Sequence, residues 1–197
     1  MANNPQPEND FSDGPSTHEA LQDFDAMMRE RAPGFAESKA HSAWTRDQII
    51  ERLVAHAGSY SDELVSWFLW QDGVIDQPGP HPGLFLMLRP VGLNEAMTYI
   101  RLTPQGESAV TGSVNPWVAI ADDGEHSLMC NVHTGEIYSI YVAGGESKRL
   151  AGSIIELVAT WTELWQVGVG WDDEKKDFYA ITPPSARLEE LVEKSGY

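Results

Sequence analysis

The segment WVAIADDGEHSLMCNVHTGEIYSIY, residues 117–141, constrains this chain more than any other. Apolar and polar residues alternate through it with a period of two, as in strands whose successive side chains point to opposite faces. The alternation breaks twice, at Asp123-Gly124 and Thr134-Gly135, where glycine supplies the positive φ that a tight reversal needs. The pattern predicts three strands, roughly 117–121, 126–132 and 136–142, joined as a meander. An isolated meander is unstable in water, so the rest of the chain must supply layers that cover it.

The same segment gathers two histidines, the single cysteine and several carboxylates, the residue types of a metal or catalytic site. Strand geometry argues against zinc. With a rise of about 3.3 Å per residue, His126 and Cys130 point the same way but lie roughly 13 Å apart, too far to share one ion. His133 points to the other face or sits in the turn. The run DDGEH lacks the alternate-position oxygens and closing glutamate of an EF-hand loop. No nucleophile elbow, Walker loop, H-E-x-x-H or dinucleotide fingerprint occurs, and GVGWDD at 168–173 lacks the third glycine. The run WDDEKKD reads as a solvated connection, and Cys130 in a central strand as a small buried hydrophobe. These readings predict no catalytic residue, no metal, no cofactor and no enzymatic activity.

Helical periodicity brackets the meander. Ser16 and Glu19 have capping-box spacing ahead of a helix running to Arg31, with Leu21, Phe24, Met27 and Met28 on one side. Thr45 and Gln48 open a second helix, with Trp44 spaced to staple against Ile49 and Gly58 as its stop. Ser61 caps a third, read as continuing to Gly73. The proline-rich run 76–83 is loop, LFLML a buried strand, LNEAMTYIR a short amphipathic helix and 103–113 a polar loop. Residues 150–167 repeat apolar positions at Leu150, Ile154, Val158, Trp161 and Trp165, which predicts the principal core helix. DFYAI suggests another strand, and a last helix carries Leu188, Leu191 and Val192. Residues 1–15, rich in Asn, Pro, Asp and Gly, read as a disordered lead-in, and residues 16–197 as one domain. The order of elements predicts an α+β fold, with helices packed on a mainly antiparallel central sheet.

Charge narrows the partner. Thirteen basic residues against thirty acidic ones give a formal charge of −17, which repels nucleic acid and anionic membrane surfaces. Between Leu53 and Ser147 the fixed cations are Arg89 and Arg101 alone. A basic protein partner fits that field. One cysteine excludes an internal disulfide. The expectation is a cytoplasmic protein, because the apolar runs are too short to cross a bilayer and the N-terminus has no signal-peptide pattern.

Four motifs in order carry a resemblance: LVSWFLWQDGV ending a helix, the tryptophan-led NPWVAIADDGEHSLMCNV, the turn HTGEIYSI, and the helix RLAGSIIELVATWTELWQVG. Over residues 45–168 the chain resembles the SUKH superfamily, which includes the fungal cell-wall-assembly regulator and many bacterial homologues. The family's aromatic-x-x-D/N-G ending is matched by Trp67, Trp70, Asp72 and Gly73. Where the family often has aspartate on the second strand, this chain has Asn131, whose amide can still bond a turn backbone. The resemblance implies an α+β fold without enzymatic activity, and for bacterial members an immunity protein that binds and neutralises a toxin, commonly a nuclease. A regulatory interaction domain for an endogenous partner is the alternative. Candidate partner-binding residues, expected as exposed acids on loops beside the sheet, are Asp72, Asp76, Asp122, Asp123 and Glu125.

Overall fold

The fold is given by a computed structural model that describes residues 16–32, 39–73, 88–98, 115–141, 146–172, 174, 177–180 and 186–195. The lead-in therefore lies outside the described residues, as do the predicted loops at 76–83 and 103–113 and residues 84–87 of the predicted LFLML strand.

Among the described residues three helices come first, each started by the side chain the sequence places there. Helix α1 (Thr17–Arg31) has a complete Ser16/Glu19 capping box and buries Thr17, Leu21, Phe24 and Met28 along one stripe. Helix α2 (Arg46–Ala57) is boxed by Thr45 and Gln48 and ends at Gly58, whose φ of +72° is the left-handed cap that glycine adopts without strain. Helix α3 (Asp62–Trp70) is capped by Ser61 and buries Leu64, Val65, Trp67 and Phe68. It stops at Gln71, whose backbone is extended, earlier than the predicted Gly73.

The sheet is a five-stranded antiparallel meander in chain order: β1 (Arg89–Pro90), β2 (Trp117–Asp122), β3 (His126–Asn131), β4 (Ile137–Tyr141) and β5 (Ser147–Ala151). The α+β expectation thus holds. A short helix, α4 (Leu93–Ala96), follows β1 and packs on β2. Every residue of β2 is buried, so both faces of the sheet centre are covered. Register places Val118, Leu128, Cys130 and Ile137 on one face and Ala119, Met129 and Ile140 on the other. Ile120 is a bulge without a β3 partner, and its carbonyl instead accepts the Val91 N–H at 3.0 Å.

Helix α5 (Ile154–Val167) buries Ile154, Leu157, Val158, Trp161, Leu164 and Trp165 and packs against α1 and α3. Phe24, Trp70, Trp67 and Trp161 form a closed ring of aromatic contacts between these helices, with centroids 5.3–6.3 Å apart and tilted planes. The hairpin β6 (Val169–Asp172) and β7 (Asp177–Ala180) follows, then α6 (Ala186–Ser195), which packs on α5 and places Leu191 in the core.

Two predicted boundaries move. Residues 147–151 form strand β5, and the helix expected from Leu150 begins at Ile154 behind Ser153, whose hydroxyl accepts the Glu156 N–H at 3.1 Å. Residues 171 and 172, read as connection, extend β6.

Two partly buried acids, Asp25 and Glu63, make the fold sensitive to charge. Lys39 is 3% exposed; its ammonium pairs with Asp25 of α1 and lies 4.4 Å from the Trp70 ring centroid. Burial opposes ionised Asp25, but the bonds and charges of Lys39 and Arg29 outweigh it and hold its pKa below the ordinary carboxylate range. Burial lowers the Lys39 pKa despite Asp25. Glu63 of α3 accepts the Ile154 N–H at 2.8 Å, tying α3 to the start of α5, and burial raises its pKa against that bond.

Removing one member of a buried pair leaves the other uncompensated, whereas an exposed helical pair contributes little. Lys39→Ala is expected to lower unfolding stability by about 3 kcal/mol in urea titrations, and Arg29→Ala, removing a side chain that is 53% exposed, by under about 1 kcal/mol. Equal losses would contradict this assignment. For Glu63, the folded pKa lies above the unfolded one, so its contribution is complete below the unfolded value and is lost as pH rises through the folded value. Glu63→Gln keeps an acceptor for Ile154 and is expected to gain stability relative to the parent as pH rises from about 4 to 7; a relative loss over that range would show the charge to be favourable.

Candidate functional site

The five candidate acids separate into different roles. Asp76 lies outside the described residues. Asp72 is partly buried where three segments meet: its carboxylate accepts the Trp44 indole N–H at 2.9 Å and the Leu93 backbone N–H at 2.9 Å. Around it, Asp72 N–H donates to the Ala40 carbonyl and Ala40 N–H to the Gly73 carbonyl, while Gln71 accepts from Gly73 N–H and donates to the Val91 carbonyl. The chains pass so closely that a Cβ on Gly92 would lie 2.8 Å from the Asp72 carbonyl oxygen. Trp44 also carries the Arg52 guanidinium over its ring at 4.7 Å. Asp72 is thus a fixed junction, not the exposed loop acid expected, because its lone pairs hold α2, α3 and α4 together.

Asp122 corrects the expectation in the same way. It is 3% exposed at the end of β2, and Arg89 grips it with Nε at 3.3 Å and Nη2 at 3.0 Å while also reaching Glu95 at 2.7 Å. Asp122 accepts the Gly124 N–H at 3.1 Å as well. The Asp123 carboxylate accepts the N–H groups of Glu125 at 2.8 Å and His126 at 2.6 Å, and its side chain is 9% exposed. Gly124, with φ of +90°, completes the reversal. Two of the turn's three acids therefore build it, as Asx side chains do.

Glu125 alone of the four described candidates is exposed, and among the described residues no ion pair engages it. Next to it, His126 and Tyr141 face each other across β3 and β4 with rings 5.3 Å apart, and Tyr141 is 36% exposed. The sequence reading missed this aromatic neighbour, which lies sixteen residues from Glu125 and is brought close only by the strand register. It also missed acids on the helices. Asp23 and Glu30 lie on the exposed side of α1, and Asp47 and Glu51 on that of α2, none in an ion pair among the described residues. Their helical phase, opposite the buried stripe, is a signal that could have found them.

The cations are placed differently. Arg29 and Lys39 bind Asp25, Arg46 binds Asp62, Arg89 binds Asp122 and Glu95, Arg149 binds Glu136, and Arg187 binds Glu163 and Glu190. Much of the positive charge is thereby neutralised within the fold, while acids remain open on the helices and at the turn.

The apparent ligand cluster disperses as strand spacing requires. Cys130 is fully buried, and burial, with a lesser effect of the Glu63 charge, pushes its thiol well above the ordinary range, which suits packing and not nucleophilic attack. His133 is exposed in the second turn. There Asn131 accepts the N–H groups of His133 at 2.9 Å and Thr134 at 3.2 Å, the backbone role expected of it. Among the described residues, no group of three His, Cys, Asp or Glu side chains is placed to hold a metal ion, and no helix is long and apolar enough to cross a membrane. No model of a known protein family matches the chain, and no curated protein matches it.

Junction and surface acids should respond differently to substitution. Asp72→Ala and Asp122→Ala are each expected to lose about 2 kcal/mol or more of stability by stranding buried donors; Gly92→Ala is expected to lose about 1–3 kcal/mol by forcing the crossing apart. Glu125→Gln is expected to stay within about 0.5 kcal/mol of the parent. Thermal and urea unfolding of the four variants measures this, and a destabilised Glu125→Gln would place Glu125 among the structural acids.

Proposed function

We propose that the chain is a non-enzymatic, acidic protein-binding domain that serves as an immunity protein, neutralising a basic bacterial toxin in the cytoplasm by covering its working surface. The observation that carries this reading is the balance of charge: Arg29, Arg46, Arg89 and Arg187 are already engaged in ion pairs, while among the described residues Asp23, Glu30, Asp47, Glu51 and Glu125 are exposed acids without one. A nuclease is the toxin class whose chemistry fits best, because it must hold phosphates on a basic surface. An acidic inhibitor gains association rate and selectivity from that surface and denies it to the nucleic acid.

The first turn of the meander is the favoured landing point. Glu125 offers a carboxylate to an incoming Lys or Arg, and the exposed edge of Tyr141 offers an amphipathic ring of the kind enriched where interfaces bind most strongly. Asp122 and Asp123 support contact indirectly, by fixing the turn's shape.

Co-expression is expected to rescue growth against the toxin encoded beside this gene, and the purified pair to associate about tenfold more slowly at roughly 0.5 M than at 0.05 M salt. Glu125→Lys is expected to weaken the complex about tenfold or more without altering the unfolding transition. Failure to bind any effector encoded beside the gene would falsify the immunity reading, and capture of an endogenous regulatory protein instead would support the alternative. Salt-independent binding would remove the electrostatic argument even if immunity held.

A further inference from the structure

We draw no further inference here: the strongest candidate, the exposed end of the sheet where Glu125 of the β2–β3 turn adjoins the facing His126 and Tyr141 rings, belongs to the surface already proposed for the basic partner, and nothing in the structure points to a second ligand there.

Discussion

The Asp72 carboxylate is the point through which the helical layer and the sheet are joined. One oxygen receives the Trp44 indole and so fixes the start of α2; the other receives the Leu93 N–H and so fixes α4. The backbone on either side is committed too, through Ala40, Gln71 and Val91. From α4 a set of polar contacts runs on to the surface: α4 supplies Glu95, Glu95 and Asp122 share Arg89, and Asp122 caps Gly124. Within it Asp122 is buried, and Arg89 and Glu95, each over a third exposed, carry the contact outward. The close approach of Gly92 to Asp72 explains why a residue without a side chain stands there.

Charge is organised by the same economy. Desolvation makes an unpaired buried charge expensive, so buried Lys39 is paired with Asp25 and buried Asp122 with Arg89. Few cations are available in a chain of charge −17, and several are engaged in ion pairs, while Asp23, Glu30, Asp47 and Glu51 stand on the exposed sides of α1 and α2 beside Arg31 and Arg52. Those acids add little to stability, since exposed carboxylates are well hydrated. Their effect is the field around the molecule, whose range is a Debye length of about 8 Å at physiological salt.

Elements with a strong local code were legible before any coordinates. The meander followed from alternation and two glycines, and α1, α2 and α3 from Ser16, Thr45 and Ser61, because caps and turns depend on residues within a few positions of one another. Strand β5 was hidden because an edge strand facing water, Ser147-Lys148-Arg149, has no apolar alternation, and Leu150, a bulge residue, fits a helical stripe just as well. The burial of Asp72 and Asp122 was illegible for a different reason. Each depends on a donor far away in sequence, Trp44 or Arg89, and an Asp beside a turn looks identical whether solvated or engaged. What the sequence conveyed at the turn was its shape; which acid remains free emerged only from register and burial.

That distinction bears on how a surface without chemistry can recognise a partner. A flexible acidic loop attracts cations, but ordering it on contact offsets much of the gain. Here the ordering is done in the free protein: Asp123 holds two backbone N–H groups, Asp122 a third, and His126 faces Tyr141 from the neighbouring strand. The carboxylates nearest the sheet therefore set geometry, and only the outermost, Glu125, keeps its charge available. The same three acids read as a possible metal site would need to converge on one point, yet Asp122 and Asp123 are directed to different donors and Glu125 is exposed. The turn combines rigidity with an open carboxylate, the two features on which the proposed occlusion of a basic partner would draw.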